Sequence, residues 1–161
     1  MDVLKVITPL IEVESKMAEL YSWFSYVFKT DPEISSLFYR MAAEEKSHAS
    51  LIRYAKRVLI AEKSFYIDVE LQVGDLQKVL AKIKETLAKH EAPSLEEAFR
   101  FAGWVETSCA ENPLEFIMMD NYPQIAKLLT FLGKKDREHY NRLVGVAAAR
   151  SIDLPGMEER K

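Results

Sequence analysis

Cysteine is almost missing from this chain: Cys109 stands alone among 161 residues. A single thiol excludes an internal disulfide framework and a four-cysteine metal knuckle. Turn formers are scarce as well, with 5 Gly and 6 Pro. So few places to reverse the chain favour long helices over many short strands. No apolar run reaches the roughly 18 residues that a membrane span needs. Neither sign of charge dominates, since 22 Lys and Arg face 25 Asp and Glu for a net charge of −3. That balance is a poor match to nucleic-acid phosphate backbones. The opening Met1-Asp2-Val3-Leu4-Lys5 carries no basic stretch and no small-residue cleavage site, so the expected compartment is the cytoplasm. What remains is globular: 48% hydrophobic and 29% charged residues, in a length suited to one domain.

The helical runs are long. Residues 3–29 hold no breaker except Pro9, which fits a first turn. Thr30-Asp31-Pro32 interrupts, and a second run extends from Pro32 to about Glu62 with Asp31 as its N-cap. Residues 64–73 alternate between apolar and polar and predict an extended segment. Gly74-Asp75 opens a short amphipathic helix that ends before Pro93. Ser94-Leu95-Glu96-Glu97 is a capping box for another long helix, which Asn112-Pro113 interrupts or kinks. Asn121-Tyr122-Pro123 precedes the last helix, roughly 123–150. The expected fold is therefore all-α: an antiparallel four-helix bundle over residues 1–150, with a long crossover between the second and third helices containing a short extra helix. Residues 151–161 read as a flexible polar tail.

The second and fourth long helices repeat each other at an offset of 91: Pro32, Ile34, Leu37, Met41, His48 and Ile52 fall on Pro123, Ile125, Leu128, Leu132, His139 and Leu143. The chain reads as two helical hairpins. Each helix carries an apolar stripe at three-four spacing that turns polar near its middle. The first stripe is broken by Glu14, the second by Glu45 and His48, the third by Glu106, the fourth by Asp136 and His139.

Four carboxylates and two imidazoles would meet at mid-bundle. Buried alone, each charge would cost several kcal/mol, roughly. Two divalent cations would cancel four carboxylates, and neutral His would complete their shells. Oxygen ligands with one nitrogen per metal suit iron or manganese. Residues three apart share a helix face, so Glu45 with His48, and Asp136 with His139, can reach one metal each. Glu44 and Glu12 lie off the stripes and read as solvated. Cys109, three residues after Glu106, reads as a small buried hydrophobe. Asp136 is one methylene shorter than Glu, which predicts a weaker second metal position.

This arrangement resembles the ferritin-like di-iron carboxylate bundles over roughly residues 3–150. Leu10-Ile11-Glu12-Val13-Glu14 through Tyr21, Glu44-Glu45-Lys46-Ser47-His48, and Ser94-Leu95-Glu96-Glu97-Ala98 leading to Glu106 look like the rubrerythrin branch. In that branch an aromatic residue follows a metal-bound Glu by seven positions, and Tyr21 matches it. The resemblance implies two iron ions, with manganese or a mixed pair as alternatives. It assigns Glu14 and Glu106 as terminal or shifting ligands, Glu45 and Asp136 as bridges, and His48 and His139 as nitrogen ligands. Tyr21 would be a catalytic residue that hydrogen-bonds a ligand, or an ordinary core aromatic. Lys46 stands where bacterioferritins carry a haem-ligating Met, so no haem is expected. With no rubredoxin-like cysteine module, a separate electron donor is expected.

The implied function is an oxidoreductase that reduces peroxide or dioxygen, or oxidises ferrous iron. The alternatives are iron storage in a ferritin-type cage and a structural bundle with a vestigial metal site. A homodimer is expected, without nucleic-acid or membrane partners. Trp23, Tyr26, Phe101 and Trp104 lie off the core stripes, and either a second copy or the crossover helix would cover them. The extended segment could pair with its symmetry copy.

Overall fold

A computed structural model describes residues 4–61, 74–109 and 123–154. Within these spans the side chains of Val6, Gly74, Asp75, Gln124, Leu129 and Asp136 fall outside the description. Among the described residues every regular element is a helix: α1 Leu4–Val27, α2 Pro32–Ala61, α3 Gly74–Lys89, α4 Leu95–Cys109 and α5 Pro123–Ala149. The architecture is a ferritin-like helical bundle. None of these helices is long and apolar enough to cross a membrane. The extended reading of residues 64–73, the break at Asn112-Pro113 and the tail from 155 onward lie outside the described residues.

Local chemistry sets three of the helix ends. Asp31 caps α2 by accepting from the Ile34 amide at 3.3 Å, with Pro32 in the first helical position. Ser94 and Glu97 form the reciprocal capping box of α4, the Ser94 amide donating to Glu97 Oε2 at 2.7 Å and the Glu97 amide to Ser94 Oγ at 3.2 Å. Pro9 departs from the first-turn expectation, because α1 begins at Leu4 and runs through it. Near a helix start Pro removes only one ladder bond, to an exposed end, and the helix tolerates it. The end of α5 turns through Ser151 at φ 55°, where the Ile152 amide donates to Ala147 O at 2.9 Å in a Schellman arrangement. That turn directs Ile152 and Leu154 onto the core, where both are partly buried.

Packing follows the stripes. α1 lies along α2, α4 packs on α5, α3 bridges α1 and α4, and α2 touches α5. The apolar interior divides into two clusters. One gathers Met17, Tyr21, Phe24, Phe38, Phe99 and Leu143 among others. The other holds Ile7, Leu10, Ile52, Leu59, Ile125 and Leu132. Along α1, α2 and α5 the polar stripe residues fall between the two. The crossover helix α3 packs beside Trp23, Phe101 and Trp104, which are partly buried against the larger cluster. Tyr26, the fourth aromatic off the stripes, remains largely open, 66% exposed.

Candidate metal centre

Four helices, α1, α2, α4 and α5, bring five of the six stripe residues together. Glu14, Glu45, His48, Glu106 and His139 are all buried, none more than 4% exposed. They form two overlapping sets. Glu14, Glu45 and His48 offer ligand atoms that lie within 4.8 Å of one another, and so do Glu45, Glu106 and His139. Glu45 belongs to both and stands between them. Asp136 sits on α5 one turn before His139; its side chain is outside the described residues.

The distances define which atoms face inward. His48 Nδ1 is 2.9 Å from Glu45 Oε2 and 3.4 Å from Glu14 Oε2. His139 Nδ1 is 2.8 Å from Glu45 Oε1 and 3.6 Å from Glu106 Oε2. Both imidazoles thus present Nδ1 to carboxylate oxygens from two helices. Glu45 Oε1, Glu106 Oε2 and His139 Nδ1 are buried without a hydrogen bond of good geometry, despite these short approaches. Buried polar atoms left this way normally cost stability. A cation among these inward-facing atoms would accept a lone pair from each, so the donor set fits a pair of hard or borderline divalent metals.

Electrostatics agree. Burial alone would keep both imidazoles neutral. The carboxylates outweigh it, Glu14 and Glu45 raising His48 to about 10, and Glu106 and Glu45 raising His139 to about 11. Burial pushes Glu45 up, but His139 and His48 hold it down at about 2. Burial, with the Glu45 charge adding, raises Glu106 to about 7 against the opposing pull of His139 and Tyr21. Without metal, protons on the two histidines hold the carboxylates together. Metal ions would replace those protons.

Two neighbours complete the site. Tyr21 is fully buried and its phenol donates to Glu106 Oε1 at 2.6 Å. Its partner is the carboxylate 85 residues away rather than Glu14 on its own helix. Burial, and next the Glu106 charge, hold the phenol well above its ordinary value, so it stays protonated. Glu44, read from its place off the stripe as solvated, is only partly exposed and is paired with α5. Its side chain is 34% exposed, and Oε2 lies 2.5 Å from His139 Nε2 and 3.0 Å from Arg142 Nη1. Burial raises Glu44, but Arg142 and His139 overcome it and lower the carboxyl below its usual range. No stripe pattern points to this contact, because Glu44 faces sideways toward α5. Glu12 does sit on the surface, paired with Lys84 of α3 at 2.5 Å. Cys109 is buried, 5% exposed.

No curated protein and no solved structure matches the chain. A family model described as Rubrerythrin matches residues 6–147. The matched span runs from the first turns of α1 nearly to the end of α5 and contains every residue of the two ligand sets. With most of its length matched, and with these carboxylate and histidine groups at its centre, the chain belongs to the Rubrerythrin family.

Proposed function

We propose that this protein is a di-iron oxidoreductase that reduces a small oxygen species, hydrogen peroxide or dioxygen, with electrons from a separate donor. The observation that carries the reading is the sharing of Glu45 by two three-residue ligand sets. One metal would be held by Glu14, Glu45 and His48, the other by Glu45, Glu106 and His139. Asp136, three residues before His139 in the sequence, would be a further ligand of the second metal. Iron bound there would supply one-electron redox steps and Lewis acidity. The protein supplies the rest. Apolar clusters on both sides keep bulk water away from the ligands. Tyr21 holds a proton at its phenol oxygen, 2.6 Å from Glu106 Oε1. Manganese fits the same donor set.

Anaerobic loading with ferrous iron tests the proposal. Two ions per chain should bind, and one equivalent of peroxide should then be consumed per two ferrous ions, with a near-ultraviolet absorbance rise. Binding without peroxide or dioxygen consumption would leave a structural metal protein. Light scattering should give a dimer mass; a many-subunit particle that mineralises iron would favour storage instead.

A further inference from the structure

We propose that Glu44 is a positioning residue for the second metal: it holds His139 by the outer ring nitrogen so that Nδ1 faces the ligand set. The inference rests on the di-metal reading above and adds a residue that touches no ligand atom of either set.

The geometry is directional. His139 Nδ1 points at Glu45 Oε1, 2.8 Å away, and toward Glu106 Oε2 at 3.6 Å. The opposite nitrogen, Nε2, meets Glu44 Oε2 at 2.5 Å. An imidazole has two nitrogens, and which one binds a metal is set by what the other contacts. A carboxylate at Nε2 fixes the proton there and leaves the Nδ1 lone pair for the metal. Carboxylate partners of this kind also raise the basicity of a ligating imidazole.

Glu44 is itself held. Arg142 lies three residues beyond His139 on α5, and its Nη1 sits 3.0 Å from the same Glu44 oxygen. Two α5 side chains therefore grip one α2 carboxylate, and that grip fixes the ring angle from outside the site. The His139 side chain is 0% exposed while Glu44 is 34% exposed. Glu44 thus lies between the ring and solvent.

The test uses the full chain and two variants, Glu44→Ala and Glu44→Gln, each checked for native helix content. The first readout needs no metal. In the metal-free protein the His139 Nε2 proton should give a solvent-protected resonance in a ¹⁵N correlation spectrum. Glu44→Ala should broaden or abolish it, and Glu44→Gln, which keeps an acceptor oxygen, should retain it. The second readout is titration with Mn²⁺. Glu44→Ala should weaken one of the two binding steps about 10–100-fold and leave the other within about twofold, with partial rescue in Glu44→Gln. An unchanged resonance in Glu44→Ala, or a lost resonance with both metal steps intact, would overturn the inference. If the wild-type chain bound no Mn²⁺ or Fe²⁺, the di-metal reading would fall, and the resonance alone would still decide whether Glu44 holds His139.

Discussion

The imidazoles of His48 and His139 lie face to face, their ring centroids 5.5 Å apart and their planes 13° from parallel. These are the two residues that the 91-residue internal repeat equates. The repeat therefore ends as two imidazoles that each meet a Glu45 oxygen, one from each half of the chain. This makes the loss of a ligand unequal in its consequences. Glu45→Ala should abolish tight binding of both metals, whereas His48→Ala should lose one and keep the other. Calorimetric titration of metal-free protein with Fe²⁺ or Mn²⁺ would read this directly, and two intact steps in Glu45→Ala would refute the shared role.

Tyr21→Phe keeps the ring packing against Phe38, at 6.0 Å between centroids, and removes the phenol that donates to Glu106. A buried carboxylate oxygen then has no donor. Metal-free Tyr21→Phe should lose about 1–3 kcal/mol in urea unfolding at neutral pH. The proton on Glu106 should also be held more tightly, above the present value of about 7. A loss under about 0.5 kcal/mol would mean that the hydroxyl is not supporting Glu106.

Proton linkage gives a prediction with a definite sign. His48 and His139 are raised to about 10 and about 11 from an ordinary 6.5, so their contribution to metal-free stability is complete below pH 6.5 and is lost as pH rises through 10 and 11. Glu106, raised to about 7, acts the same way from 4.5 upward. Glu45, lowered to about 2, contributes above pH 4.5 and loses that contribution as pH falls toward 2. The metal-free protein should therefore be most stable near pH 5, roughly, and weaken toward pH 9. Metal affinity should run the other way, rising with pH because both histidines must shed a proton to bind. Urea melts and Mn²⁺ titrations at pH 5, 7 and 9 would check both trends; affinity independent of pH would contradict the proton displacement.

Much of this could be read from the chain alone because the signals are local. The capping box Ser94–Glu97 needs only four residues to be recognised, and the stripes that carry Glu14, Glu45, His48, Glu106 and His139 are periodic along single helices. What could not be read depends on how helices sit against one another. Tyr21 does reach a candidate ligand, but that it is Glu106 on α4 depends on how the helices pack, and no spacing encodes that. Glu44 is one residue off its stripe, so periodicity places it in solvent; only the approach of α5 turns it toward His139. The position of α3 against Phe101 and Trp104 is equally a matter of tertiary packing. Pro9 was misplaced because start signals blur over a turn, and α1 picks up five residues before it.

Cys109 is buried beside the larger apolar cluster and one turn beyond Glu106. A buried thiol exposes no thiolate to reagents. Reaction with Ellman's reagent should be slow in the native protein and ordinary in urea, and Cys109→Ser should leave both metal steps in place. Rapid native labelling would show that this end of α4 opens readily.

The glycines within the helices offer a stability test independent of the metal. Gly103 lies buried in α4, and a methyl group there would meet Tyr140 Cε2 at 3.6 Å and the Leu154 methyls at 3.8 and 3.9 Å. Those are ordinary van der Waals contacts, so Ala fits without displacement. Gly145 in α5 has nothing within 4 Å of the same position. A helix-interior Gly is about 0.5–1 kcal/mol worse than Ala through backbone entropy. Gly103→Ala and Gly145→Ala should each raise stability by about that amount, and the sites share no partner, so the gains should add. Gly103→Leu is the contrasting case. Its longer side chain would have to displace Leu154, which closes over this face of α4. That variant should lose about 1–3 kcal/mol. If Gly103→Ala were instead destabilising by a similar amount in urea unfolding, the 151–154 segment would have to pack more tightly on α4 than a methyl group allows.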